Sequence, residues 1–260
     1  MAFDCFSDKV ALITGGTRGI GLAVAKILAE NGCNLALVYR RDKKSASAAE
    51  TQLAETGAKV ITIRSNIADP EVIPSITEKI DKEFGRLDYF VSNAVFGVLK
   101  PAAEFDAKRF DACMDTNAKA YMLLAGECAK LMAPDGGAVP SPGQKRIVAL
   151  TSLGSHKVIP GYAGIGAGKA AIEAITRYLA FELAQRGIGV NAVSGGLVDT
   201  DSMKAFEGEK KWLDAQIANT PMGRIGSADD IAKVVVWLLS DQSAWITGQV
   251  IVADGGLSLV

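Results

Sequence analysis

Val10-Ala11-Leu12-Ile13-Thr14-Gly15-Gly16-Thr17-Arg18-Gly19-Ile20-Gly21 is the stretch on which the reading of this chain turns. Apolar and β-branched residues run into three spaced glycines, Gly15, Gly19 and Gly21, and a helical pattern over 22–30 follows directly. Strand, glycine turn and helix form the context a dinucleotide phosphate needs, because a helix start offers free N–H groups and a positive dipole end to an anion. Glycine is required where a Cβ would hinder the tight turn or keep pyrophosphate away from those amides. The stretch therefore predicts cofactor contacts from Gly15, Thr17, Arg18, Gly19, Ile20 and Gly21.

About twenty residues beyond the motif, a second apolar run ends in Tyr39-Arg40-Arg41. A carboxylate at this place would accept hydrogen bonds from a ribose 2′-hydroxyl, whereas a 2′-phosphate calls for cations. Arg40 and Arg41, with Arg18 in reach from the glycine turn, point to NADPH, and Asp42 partly offsets their charge.

Further along, short apolar runs alternate with helical patterns of ten to fifteen residues. Strands are expected at 10–14, 34–38, 59–63, 87–91, 146–150, 188–193 and 249–253, which makes seven. Such alternation implies right-handed crossovers and a parallel sheet covered on both faces, a doubly wound α/β fold. The 260 residues, 49% hydrophobic and 22% charged, suit one such domain over 1–260, with no internal repeat or linker. Asn66 with Ile67, and Asn93 with Ala94, follow strand ends, where these sheets bind ligands; Asn equally suits plain turns. Asn117 interrupts a helical pattern over 106–132, as a break or as a group bonded into a site. Residues 133–143 read as a surface loop. The stretch 200–221 spaces Met203, Phe206, Trp212, Leu213 and Ile217 among charges, the pattern of a flap over a bound acyl group or of an ordinary surface helix.

Composition excludes several classes. Net charge is −1, pI is about 6.0 and no long block of like charge occurs, so nucleic acid and membrane surfaces are not expected partners. Four cysteines without metal-ligand spacing and a single histidine, His156, argue against catalytic zinc or a Ser-His triad. No signal-peptide pattern or membrane-length apolar run is seen, and a cytoplasmic location is expected.

Tyr162 and Lys169 stand seven residues apart at the opening of a helical pattern, close to two turns, so both side chains leave one face. A phenol donates a hydrogen bond to a carbonyl oxygen, and an ammonium nearby favours its ionised form. Ser152, at the end of strand 146–150, stands ten residues before Tyr162; it can bond a substrate carbonyl or the phenol, or simply satisfy backbone at a loop start.

Taken together these residues resemble the short-chain dehydrogenase/reductase family over nearly the whole chain. The pieces are the turn Gly15 to Gly21, Ser92-Asn93-Ala94 in place of Asn-Asn-Ala-Gly, Asn117, Ser152, Lys169, Asn191 and Asp254-Gly255-Gly256. Most members carry Tyr-x-x-x-Lys, but Ile165 stands four before Lys169 here. Ser152 keeps the usual interval of seventeen to Lys169, so only the tyrosine has moved, one turn earlier. Tyr-x6-Lys, with Gly85-Arg86-Leu87-Asp88, Ser152-Leu153-Gly154-Ser155, Ser194-Gly195 in place of Pro-Gly, and Asp199-Thr200-Asp201, looks most like the bacterial enoyl-acyl-carrier-protein reductase III group.

That resemblance implies NADPH-dependent reduction of a trans-2-enoyl thioester on acyl-carrier protein or CoA, in fatty-acid biosynthesis and lipid metabolism or a polyketide pathway, by a homotetramer. It assigns catalysis to Tyr162, Lys169 and Ser152, and further cofactor contacts to Val198 and Thr200. A 3-ketoacyl or other carbonyl reductase fits the glycine, Asn and Lys positions equally well, and an NADP(H)-binding protein without turnover is a third possibility.

Overall fold

The computed structural model describes residues 4–133, 145–201, 203 and 210–260. Its centre is a parallel sheet of seven strands. These are β1 (Val10–Thr14), β2 (Asn34–Tyr39), β3 (Val60–Arg64), β4 (Tyr89–Ser92), β5 (Lys145–Ser152), β6 (Ile188–Gly195) and an edge strand Val250–Ala253. The edge strand is numbered β9, after the two-residue strands β7 (Val198–Asp199) and β8 (Gly226–Ser227), which pair with each other outside the sheet. Strand order is β3-β2-β1-β4-β5-β6-β9, so the direction of winding reverses between β1 and β4 and opens a crevice at their C-terminal ends.

The pattern in β1 shows why both faces are covered. Ala11 and Ile13 point into a core shared with α1 (Gly19–Glu30), α2 (Lys43–Ala54) and α8 (Ala228–Leu239). Val10 and Leu12 point to the other side, against α3 (Ile73–Phe84), α5 (Ala120–Met132) and α6 (Ala163–Leu183). A strand buried on both faces has no solvent side to alternate with, hence its continuous apolar reading. The seven expected strands and the doubly wound α/β architecture are those observed; the β7–β8 ladder is additional, because two residues are too few to show a pattern.

At the opposite end from the crevice, buried Asp88 holds three strands together. Its carboxylate accepts from the Val10 backbone at 2.9 Å, from Arg86 at 2.7 and 2.9 Å, and from Lys145 at 2.8 Å. Burial opposes the charge, but the bonds from Arg86 and Lys145 outweigh it and hold the carboxyl below its ordinary range.

The helical pattern over 106–132 is divided. α4 (Ala107–Met114) passes into a π-helical turn, Asp115–Lys119, before α5 begins. Asn117 lies in that turn, buried, which places the break where the sequence suggested one. Residues 134–143 of the expected surface loop, and Phe206 of the amphipathic stretch, lie outside the described residues.

Candidate active site

The glycine turn is braced from β4. Asn93 Nδ2 donates to the Thr14 and Gly15 carbonyls at 3.0 and 3.1 Å, and the Asn93 and Ala94 amides donate to Thr14 Oγ1 at 3.0 and 3.1 Å. Gly15 has φ +65°, and a Cβ there would lie 2.9 Å from Asn93 Nδ2. Asn93, expected as a cofactor contact, thus spends its side-chain amide on the turn itself. Gly19, φ +53°, faces Thr200 across a gap that its own Cβ would narrow to 3.6 Å. Thr17 and Val198 are buried, Ile20 packs on the core, and Ile67 is buried in the opposite core, so what Ile67 can offer a ligand is its backbone. Arg18 is exposed, 4.0 Å from Asp201. A cradle open only while its glycines lack Cβ, at the start of α1, has the donor chemistry for a pyrophosphate.

The end of β2 carries the charge expected for a 2′-phosphate. Asp42, which partly offsets that charge, also caps α2, its carboxylate accepting from the Ser45 amide at 2.9 Å and the Ser45 hydroxyl at 2.6 Å. Those bonds hold its carboxyl below the ordinary value. Arg40 and Arg41 are exposed, and a cavity of about 530 Å³ beside Arg40 is lined by Asn66, Phe96 and residues of α4.

On the other side of the crevice, Tyr162 is the N-cap of α6 and not a residue of its first turn. Burial raises its pKa, and a hydrogen bond from Ser152 lowers it in part, so the net shift is upward and the phenol stays protonated at neutral pH. Ser152 Oγ also accepts from the Gly154 amide at 3.1 Å, so it serves both the phenol and the local turn. The Tyr162 ring lies directly on Gly154, where a Cβ would come within 2.5 Å of two ring carbons. Lys169 is buried and donates to the Leu150 carbonyl at 2.7 Å, tying α6 to the end of β5.

The family's usual tyrosine position is closed. Ile165 is buried, and its side chain abuts Gly97 so closely that a Cβ on Gly97 would lie 2.0 Å from Ile165 Cγ1. Small residues elsewhere in the first turns of α6 admit other neighbours. Gly164 meets the Phe105 ring, and Gly168 meets Asn117. A second cavity, of about 120 Å³, lies beside Ser152 and is walled by Gly196, Leu197, Trp212 and Gln216. Trp212 and Gln216 belong to α7 (Lys210–Asn219), so this part of the amphipathic stretch borders the site.

Burial pulls Lys169 from 10.5 down to about 8. Between those values the unfolded chain binds more protons than the native one, so this site's contribution to stability rises with pH across that window. Below about pH 8 the cost of the buried charge is felt in full. Lys169→Met is therefore expected to be more stable than the wild type in urea at pH 7, with the difference shrinking toward pH 10. A difference constant across that range would mean that Lys169 titrates at its unfolded value.

Sequence reasoning did not single out Gly154, Gly97 or Phe96 as site residues. A glycine's role as a seat for another side chain has no local signature, since the partners come from distant parts of the chain. Asn191, one of the family pieces, is buried and structural: it donates to the Ile246 carbonyl at 2.8 Å and accepts from the Gln249 amide at 3.0 Å. Ser194 shows what replacing proline achieves. A residue with an N–H can stay in the ladder, and β6 pairs with both β5 and β9 as far as Gly195.

Residues 15–258 match the family model described as enoyl-(acyl carrier protein) reductase. The chain is 36% identical over 254 residues to 1-cyclohexenylcarbonyl-CoA reductase of Streptomyces collinus, covering 97% of this chain and 88% of that protein. It is 33% identical over 250 residues to the 3-oxoacyl-(acyl-carrier-protein) reductase FabG of Staphylococcus aureus, covering 96% and 98% of the two. A short-chain dehydrogenase from Burkholderia cenocepacia, solved in complex with NADP, superposes with a TM-score of 0.88 at 31% identity, over 97% of this chain and 99% of that one.

Proposed function

The chain belongs to the short-chain dehydrogenase/reductase family, and from that premise we propose that it reduces the C2=C3 bond of a trans-2-enoyl thioester with NADPH. The observation that carries the reading is the exchange of roles at α6: Tyr162 accepts from Ser152, which lines the smaller cavity, while Ile165 fills the ordinary tyrosine position against Gly97. The Streptomyces collinus relative is named for a 1-cyclohexenylcarbonyl-CoA, an α,β-unsaturated CoA thioester, which supports this choice. The FabG similarity keeps a ketone-reducing alternative in view.

NADPH, when bound, supplies the hydride that adds to C3. The amides at the start of α1, the Gly19–Thr200 gap and the cations Arg40, Arg41 and Arg18 would hold it. As negative charge moves onto the thioester oxygen, the Tyr162 hydroxyl donates a hydrogen bond to it, an oxyanion-hole contribution. Ser152 orients that hydroxyl. Lys169 supplies positive charge behind it and a donor for ribose hydroxyls. A proton taken from solvent water at C2 of the enolate completes the reduction. The placement of the tyrosine has a geometric sense: hydride must reach the β-carbon, two bonds beyond the carbonyl carbon, and three residues of helix correspond to about 4.5 Å.

The acyl group would sit in the cavity bordered by Trp212, on acyl-carrier protein or CoA, in fatty-acid or polyketide synthesis. A homotetramer is part of this reading, and the exposed apolar side chains Tyr178 and Phe181 on α6 and Trp245 and Val252 near the β9 edge are candidates for its interfaces. No helix among the described residues is long and apolar enough to cross a membrane.

Oxidation of NADPH in the presence of a crotonyl thioester or the matching acetoacetyl thioester tests the reading. Turnover of the enoyl substrate at least about tenfold faster, a difference of about 1.4 kcal/mol at the transition state, is expected. Preference for the ketone would restore the carbonyl-reductase alternative, and cofactor binding without turnover of either would favour a binding protein.

A further inference from the structure

Arg40 carries much of the cofactor reading, yet it is exposed at a strand end, where a long side chain loses considerable rotamer freedom on binding a ligand. It does not stand alone there. Its guanidinium carbon lies 5.9 Å from the centre of the Phe96 ring, within the range of a cation–π contact. The other such pair among the described residues, Lys59 over Phe84, is at the N-terminal end of β3, away from the crevice.

Phe96 itself rests on a fixed backbone. Its amide donates to Asn117 Oδ1 at 3.0 Å and its carbonyl accepts from Asn117 Nδ2 at 2.8 Å, so the buried Asn117 of the π-helical turn holds both of its main-chain polar groups. The same loop is tied down at its two ends, by Asn93 to the glycine turn and by the Lys100 amide to the Gly161 carbonyl at 2.7 Å. Arg40 and Phe96 both line the cavity of about 530 Å³, with Asn66, with Lys108 and Asp111 from α4, and with Asp115 from the π-helical turn. Asp115 is paired with Lys119 at 3.1 Å.

We infer that Phe96 is a specificity-determining residue for the cofactor: its ring holds the Arg40 guanidinium at the rim of this cavity, where it meets a 2′-phosphate, and so raises selectivity for NADPH over NADH. The inference rests on the NADPH reading above. Asn117 acts through Phe96 as a positioning residue, which links the helix break to the far end of the cofactor and not only to the reacting centre.

Fluorescence titration of NADPH and of NADH into the wild type, Phe96→Leu, Phe96→Tyr and Arg40→Ala tests it. Phe96→Leu should weaken NADPH binding about two- to fivefold, the worth of one exposed cation–π contact, and leave NADH binding unchanged, which also reports that the variant is folded. Phe96→Tyr should retain the wild-type selectivity. On the Arg40→Ala background, Phe96→Leu should have no further effect on NADPH. Equal weakening of both cofactors, tighter NADPH binding in Phe96→Leu, or additive effects in the double variant would overturn the inference while leaving the NADPH reading intact. A wild-type protein that binds both cofactors alike would overturn that reading, and the inference with it.

Discussion

Tyr162→Phe is expected to lower turnover of an enoyl thioester about 10²–10³-fold, the loss typical of removing one oxyanion donor, while NADPH binding is unchanged. The ring would keep its seat on Gly154, so packing is preserved and only the hydroxyl is lost. The interaction removed exists chiefly when charge has developed on the thioester oxygen; kcat and kcat/KM should therefore fall together, with KM little altered. Steady-state rates on a crotonyl thioester, with NADPH affinity measured by fluorescence, check both halves. A loss below about tenfold would mean that another donor holds the oxygen. Adding Ile165→Tyr to this variant restores the family's common spacing without restoring the rate, because the side chain at 165 is directed against Gly97.

The second large effect is expected at Gly21. A methyl group there would stand 2.4 Å from the Gly15 carbonyl oxygen and 2.6 Å from Asn93 Nδ2, both of them parts of the brace that shapes the turn. Neither can move alone, since Asn93 also holds Thr14. Overpacking of this kind costs about 1–3 kcal/mol. Relaxed in the free protein by a shift of the turn, that strain returns whenever a pyrophosphate demands the original geometry. Gly21→Ala should therefore weaken NADPH and NADH alike, about 5- to 150-fold. Calorimetric titration of both cofactors checks it, and unchanged affinity would remove this turn from the cofactor site. The common loss contrasts with the NADPH-only loss expected of Phe96→Leu, so the two variants separate the phosphate cradle from the 2′-phosphate reader.

How legible each part was depended on how local its cause is. The strand-turn-helix beginning at Val10 could be read because its requirements are local: apolar residues for a strand covered on both faces, glycines for the turn and positive φ at Gly15 and Gly19. The seven strands followed from the same rhythm. The break at Asn117 was visible as an asparagine inside a helical pattern, although its π geometry and its grip on Phe96 were not. The charge of Asp42 was legible in the same way, but its second part was not. A carboxylate after two arginines reads as an opposing charge, and only the helix that begins at Lys43 turns it into a cap.

By itself, then, the chain's order of residues determined the fold class, the position of the dinucleotide turn and the displacement of the tyrosine relative to Lys169, because each depends on spacing along one strand or helix. Tertiary structure alone decided that Asn93 spends its amide on the glycine turn, that Ile165 is shut against Gly97, that the Tyr162 ring rests on Gly154, and that Arg40 stands over Phe96. The physical reason is that in each case the energy lies in a close approach between segments far apart in sequence. Neither partner carries a mark of the other until the sheet has brought the strand ends together.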